Sequence, residues 1–221
     1  MLLIFDLDGT LFQAKPVCLQ ADLRLLSEMN VPAPDENTLL KNAGQGLDTL
    51  LRSILPGGTD FAAARSRYTE LMREEISERG ELFPGVREAV MQLHSEGHKL
   101  VICSNSPEEY IITVLEHTGI AGFFSQYHSA EGYPSKAELI RELITEMINP
   151  GDSAIVIGDT HGDVEAAHAN GLPAIAVAYG YGNKNMLSAA EYLADMPEDI
   201  VKHCKQYAET ETNLDILAIT E

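Results

Sequence analysis

Residues 2–11 read Leu2-Leu3-Ile4-Phe5-Asp6-Leu7-Asp8-Gly9-Thr10-Leu11. The apolar run Leu2–Phe5 is too short for a helix and closes on acids and a glycine, which predicts a buried strand followed by a turn. The same grammar returns downstream. Lys99–Cys103 is a mainly apolar run closed by Ser104-Asn105-Ser106-Pro107, and Ser153–Ile157 is closed by Gly158-Asp159-Thr160. Helical periodicity fills 86–96, 108–118, 135–147 and 163–170, with further strands expected near 126–129 and over 174–178. Strands alternating with helices through short loops imply parallel βαβ units. The expected fold is therefore α/β, with a doubly wound, Rossmann-like parallel sheet.

Between the first strand and Phe83-Pro84-Gly85 the pattern differs. Residues 17–29, 35–54 and 60–79 carry helical spacing broken by Pro32, Pro34 and Gly44, and 14–80 holds no convincing strand. The chain thus divides into a core, 1–13 and 81–221, interrupted by a helical insert, 14–80. Gly80 and Gly85 stand at its second junction, where glycine can absorb backbone rotation. The acidic stretch 209–221 reads as either a docked extension or a frayed tail.

The charge balance narrows the partners. Against 15 lysines and arginines stand 34 acids, a formal net charge of −19. Such a surface repels nucleic-acid phosphates and anionic lipid headgroups, so neither nucleic acid nor membrane is expected. It also repels any phosphorylated ligand, so a local positive centre must override the global field, and a bound divalent cation is the simplest one. Cys18, Cys103 and Cys204 lie far apart, without a CxxC pair for zinc. That usage fits a reducing, cytoplasmic setting. The first apolar run is too short for a signal peptide or a membrane span, and no basic leader precedes it.

In doubly wound sheets ligands bind beyond the carboxyl ends of the strands. The residues expected there are Asp6 and Asp8 after the first strand, Ser104 and Asn105 after the second, and Asp159 with Asp163 after the fourth. Lys136 opens the helix before that fourth strand. Clustered carboxylates repel one another and raise their own pKa values. A hard cation such as Mg²⁺, which prefers oxygen ligands, removes the conflict. One carboxylate can then attack phosphorus, and a second can protonate the leaving oxygen and later activate water. A hydroxyl, an ammonium and backbone amides can hold phosphoryl oxygens.

Each residue also has a structural reading. Asp6 and Asp8 suit a turn after a strand, Ser104 can cap a helix, and Asp163 suits a first helical turn. Lys136 reads as a surface lysine in a first turn, where the helix dipole mildly disfavours a cation and so points to an anionic partner. On that reading Lys136→Ala costs under ~0.5 kcal/mol of stability. His161 is expected to face solvent, since Mg²⁺ prefers oxygen. Gly44-Gln45-Gly46 lacks the lysine of a phosphate loop and reads as a turn of the insert facing the site. Gly180-Tyr181-Gly182-Asn183 reads as a rim loop. Arg52 reads as a surface helix residue or a substrate contact.

In order, spacing and strand context these residues resemble the haloacid dehalogenase superfamily. Asp6-Leu7-Asp8-Gly9-Thr10-Leu11 resembles its first motif, Ser104 its second, Lys136 its third, and Gly158-Asp159-Thr160-His161-Gly162-Asp163 its fourth. The resemblance spans nearly the whole chain, including a helical cap inserted after the first motif, and is nearest to the phosphoglycolate phosphatase-like branch. It implies Asp6 as nucleophile and Mg²⁺ ligand, and Asp8 as general acid/base with its backbone carbonyl on the metal. It implies Asp159 as a direct metal ligand and Asp163 as a direct or water-mediated one. Ser104, Lys136 and the Asn105 amide would bind phosphate, and Thr10 would support Asp8. The implied activity is Mg²⁺-dependent hydrolysis of a small phosphorylated metabolite. One departure is visible: Ala137 follows Lys136 where many relatives carry proline, and Pro134 precedes it instead. Dehalogenases and phosphonatases of this superfamily lack an acid at the position of Asp8, although Lys41 could stand in for the phosphonatase lysine. A sugar phosphomutase keeps both acids, and a non-catalytic phosphate-binding domain would need none of them intact.

Overall fold

Leu2–Phe5 forms β1, and all four residues are buried. Leu3 and Phe5 join one apolar cluster while Leu2 and Ile4 join another. A strand sandwiched between two cores has no solvent face, which is why the run is continuous rather than alternating. The computed structural model describes residues 1–41, 46–149 and 151–219. Gly44 and Gln45, and the Lys41 side chain, lie outside the described residues.

Five more strands join β1 in parallel: β2 (Lys99–Ser104), β3 (Gln126–Ser129), β4 (Ala154–Gly158), β5 (Ala174–Val177) and β6 (Tyr192–Ala194). The order is β3-β2-β1-β4-β5-β6, with Leu2 in register with Lys99 on one side and Ala154 on the other. The order reverses at β1. Crossovers to β2 and β3 run one way and those through β4 run the other, leaving a crevice beyond the carboxyl ends of β1 and β4. On the Leu3/Phe5 face pack α5 (Val86–Ser95), α6 (Glu108–Thr118) and α10 (Pro197–Ile219). On the opposite face pack α7 (Lys136–Met147) and α8 (His161–His168). This is the α/β doubly wound sheet that the strand grammar predicts.

Residues 14–79 supply α1 (Ala14–Glu28), α2 (Glu36–Lys41), α3 (Leu47–Ile54) and α4 (Phe61–Arg79), and no strand among the described residues. α1 and α4 pack through Val17, Ala21, Leu25, Tyr68 and Leu71. Glu75, buried in α4, accepts from Arg24 at 2.7 Å and Arg79 at 2.5 Å, so its charge is doubly compensated. The Asp60 carboxylate caps α4 by accepting from the Ala63 amide. The two ends of this helical segment are tied together. The Gln13 amide donates to Glu81 O at 2.9 Å, the Gln13 side chain donates to Leu82 O at 2.9 Å, and Phe12 bridges Leu82.

The sequence pattern ran short at the carboxyl end. It showed neither the single-turn α9 (Lys184–Leu187) nor the three-residue β6, and the stretch from 209 continues α10 as far as Ile219. The span 35–54 holds two helices, one on either side of the expected break at Gly44.

Candidate active site

Asp6 leaves β1 still in the sheet, its amide donating to Ile157 O of β4 at 2.8 Å. The chain then turns at Gly9, whose φ is +85°. A Cβ there would lie 2.2 Å from Asp159 Oδ2, so only glycine lets this turn sit against the end of β4. Asp159 follows β4. Its Oδ2 accepts the Tyr181 amide at 2.7 Å, and its buried Oδ1 has no partner among the described residues. Asp163 stands in the first turn of α8, where Oδ2 accepts from the Thr160 amide at 3.0 Å and the Thr160 hydroxyl at 2.7 Å. That leaves Asp163 Oδ1 to accept from Lys136 Nζ at 2.5 Å, and the same ammonium donates to Asp6 Oδ1 at 2.6 Å.

Lys136 is 8% exposed, so of its two readings the surface lysine is set aside. Helical side chains lean toward the helix N-terminus. The first residue of α7 therefore projects past the helix end into the crevice, where two carboxylates offset the dipole's disfavour.

Asp6, Asp159 and Asp163 each present an oxygen, and the three oxygens lie within 4.8 Å of one another. Burial raises the pKa of Asp6, Lys136 pulls it back, and Asp163 and Asp159 raise it again. Burial likewise pushes Asp159 up to about 6, against the Tyr181 amide and with Asp163 adding to the rise. Burial disfavours the Lys136 ammonium, but Asp163 and Asp6 outweigh it and hold the lysine charged. One ammonium thus faces three carboxylates. The deficit, the orphaned Oδ1 of Asp159 and a donor set of hard oxygens fit a divalent cation of the Mg²⁺ kind. His161 stays outside the set, with Nδ1 3.2 Å from Met186 O and Nε2 3.3 Å from Glu165.

Asp8 stands outside this group of three. Its Oδ2 accepts from Ser106 Oγ at 2.6 Å and its Oδ1 from the Tyr110 hydroxyl at 2.7 Å. Burial raises its pKa, and the two hydroxyls work against the rise. Thr10 does not give Asp8 the expected support. Its buried Oγ has no partner among the described residues, and its carbonyl accepts from the Tyr179 hydroxyl at 2.9 Å. Ser104 is buried at the end of β2 and accepts from the Ser106 amide at 3.2 Å, while Asn105 beside it is exposed.

A cavity opens over Asp8, between the sheet end and the inserted helices. Cys18, Leu50, Tyr68, Met72, Ser106 and Tyr110 line it, together with Gly46 from the turn noted in the sequence. Arg65 and Arg73 stand on its wall, paired with Glu131 and Asp48 and with Glu109 respectively. Arg52 does not line it and lies over the Phe61 ring, 4.4 Å from the centroid.

Ser106 and Tyr110 escaped the sequence reading, whereas the Gly180–Asn183 loop was read as a rim loop. A Cβ on Gly182 would lie 1.8 Å from Asp159 O, so the rim loop is pressed directly onto a member of the cluster. The one available signal was a pair of hydroxyl residues four apart, immediately after a strand end.

The family model for haloacid dehalogenase-like hydrolases matches residues 3–177. Over 199 residues the chain is 30% identical to a phosphoglycolate phosphatase of Pseudomonas putida, covering 85% of this chain and 73% of that one. It is 27% identical to a phosphoglycolate phosphatase of Vibrio cholerae, covering 86% and 89%. Among solved structures it superposes with a TM-score of 0.83 on one from Haemophilus somnus titled a predicted phosphoglycolate phosphatase, at 24% identity over 92% of this chain and 97% of that one. A haloacid dehalogenase-like hydrolase of Streptococcus pneumoniae gives 0.78 at 25% identity, covering 91% and 97%.

Proposed function

The chain belongs to the haloacid dehalogenase-like hydrolases, and on that footing we propose that it is a phosphatase releasing phosphate from a small metabolite through an aspartyl phosphate on Asp6. One observation carries the reading. A single buried ammonium spans Asp6 and Asp163 at the crevice between β1 and β4, while a second acid, Asp8, faces a cavity beside them.

The division of labour follows from the surroundings. Asp6 is fixed at a strand end and attacks phosphorus, with Lys136 beside it to hold phosphoryl oxygens. Asp8, outside the carboxylate cluster, gives its proton to the leaving oxygen and takes one back from water in the second half. Ser104, the Asn105 amide and Thr10 complete the phosphate cradle at the ends of β1 and β2. Asp6, Asp159 and Asp163, with the backbone carbonyl of Asp8, would hold Mg²⁺, whose charge when bound balances the carboxylates and the phosphoryl group. The helical segment 14–80 acts as a cap, and the cavity beneath it takes the alcohol part of the substrate. Free thiols at Cys18, Cys103 and Cys204 support a cytoplasmic setting.

The test is phosphate release with Mg²⁺ from a panel of phosphorylated metabolites, phosphoglycolate first among them because the relatives are named for it. Acid quenching during turnover should trap phosphate on the peptide that carries Asp6. Asp6→Asn should remove turnover while the protein stays folded; substantial activity in that variant overturns the assignment.

A further inference from the structure

We infer that Tyr110 and Ser106 are positioning residues that clamp the Asp8 carboxyl against the leaving oxygen through both halves of the reaction. This rests on the reading of Asp8 as the general acid and base.

The observations concern both oxygens of one side chain. Asp8 Oδ1 accepts from the Tyr110 hydroxyl at 2.7 Å and Oδ2 accepts from Ser106 Oγ at 2.6 Å. With both oxygens held, the plane of the carboxyl is fixed and not merely its distance. The clamp is itself anchored. Ser106 donates its amide to Ser104 Oγ at 3.2 Å and accepts at its carbonyl from Ser129 Oγ at 2.8 Å. Tyr110, in the first turn of α6, packs edge-on to Phe12, 6.4 Å between centroids. All three, Asp8, Ser106 and Tyr110, line the cavity proposed for the alcohol.

The chemistry favours hydroxyls here. In the first half the Asp6–phosphorus bond forms and the bond from phosphorus to the alcohol oxygen breaks. The electron pair moves onto that oxygen, which takes the proton of Asp8. In the second half Asp8 takes a proton from water, the water oxygen bonds to phosphorus, and the bond to Asp6 breaks. Asp8 is thus a carboxylic acid at one moment and a carboxylate at the next. An ammonium or an amide N–H can only donate, whereas a hydroxyl both donates and accepts. Without substrate a hydroxyl can turn to accept the proton of Asp8; with the leaving oxygen in place that proton points to it while both hydroxyls donate, so the plane is held in both protonation states.

A residue that positions the acid matters in proportion to the need for a proton. An alkyl alcohol leaves only when protonated, whereas 4-nitrophenol leaves as a stable anion. The experiment measures kcat/KM and kcat with Mg²⁺ for the parent and Tyr110→Phe, on 4-nitrophenyl phosphate and on an alkyl phosphomonoester that the parent accepts. The value of kcat/KM reports the first half, which ends when the alcohol departs. It should fall about 10–100-fold for the alkyl ester, within the range lost on misplacing a catalytic group. For the aryl ester it should change less than about threefold, since little general acid catalysis is there to lose. Ser106→Ala should show the same split to a smaller extent, and it carries the test if Tyr110→Phe loses its fold. Equal losses on both esters, or no loss on either, overturn the inference and leave the phosphatase reading standing. A parent enzyme that releases phosphate from neither ester nor from any metabolite overturns both.

Discussion

Replacing Lys136 with methionine keeps most of the side-chain volume and removes the charge between Asp6 and Asp163, which now lies 2.6 Å from one carboxylate and 2.5 Å from the other. Deleting one partner of a buried ion pair costs about 3–5 kcal/mol, because the charges left behind are uncompensated. For a chain of 221 residues each kcal/mol moves the melting temperature by about 2–4 °C, so metal-free protein should melt about 6–20 °C lower. The effect has a pH signature. Burial already lifts the Asp6 carboxyl above its ordinary 3.8, and losing the ammonium lifts it further. A carboxyl raised in the folded state costs stability above its folded pKa, and the cost disappears as the pH falls toward the unfolded value. The gap between variant and parent is therefore widest near pH 8 and closes toward about pH 4. Added Mg²⁺ should restore part of the melting temperature by binding only the folded chain. It should not restore activity, and kcat/KM should stay about 10²–10³-fold down for want of a phosphoryl donor. The assay is thermal unfolding in chelator across this pH range, repeated with Mg²⁺. A variant melting within about 2 °C of its parent at pH 8 in chelator would show that the lysine does not hold the carboxylates together.

Excess chelator should abolish phosphate release and Mg²⁺ should restore it; Ca²⁺, with longer bonds and more ligands, should compete and inhibit. Full turnover in chelator contradicts the metal reading. Gly182→Ala should weaken Mg²⁺ activation at least tenfold and destabilise the fold by about 1–3 kcal/mol, because its Cβ would meet Asp159 O at 1.8 Å and a backbone atom cannot turn aside. Unchanged Mg²⁺ titration would show that the loop yields. Asp22 is buried in α1 with Oδ1 unpaired among the described residues, and burial pushes its carboxyl up to about 7, against the neighbouring Tyr68 hydroxyl. The penalty is absent below about pH 4 and complete above about 7, so Asp22→Asn should stabilise the protein by up to about 4 kcal/mol at pH 8 and by nothing near pH 4. A variant equal to its parent at pH 8 in denaturant titration refutes this.

The part of the site on strand ends was legible because a buried parallel strand announces itself twice, by an apolar run and by the polar residues that stop it. Asp6, Ser104 and Asp159 all follow such runs. Lys136 was legible as a residue, and the helix dipole pointed to an anionic partner, but its burial was not legible. Its burial depends on α7 aiming its first side chain into the crevice, and periodicity within α7 cannot show that. Tyr110 and Ser106 meet Asp8 across separations of 102 and 98 residues, and Tyr181 meets Asp159 across 22, so no local pattern encodes either contact. Tyr192–Ala194 was missed for a different reason. It is a three-residue edge strand with Leu193 exposed, and it offers neither a run nor an alternation long enough to register.

The tie at the base of the inserted helices bears on how the chain finds its fold. β1 lies in mid-sheet, yet its partners β2 and β4 begin only at Lys99 and Ala154. At synthesis rates of about 5–20 residues per second, the first strand waits several seconds for either neighbour. Free closure over the intervening chain would also be entropically expensive. The helices of 14–79 make their main contacts with one another, and the hydrogen bonds of Gln13 to Glu81 and Leu82 pin the ends of that segment together. Once they have formed, the loop separating β1 from β2 shortens from about 93 residues to about 26, which lowers the closure cost by roughly 1 kcal/mol. An insertion that lengthens the chain thereby leaves the contact order felt by the nascent sheet close to that of a plain βαβ unit.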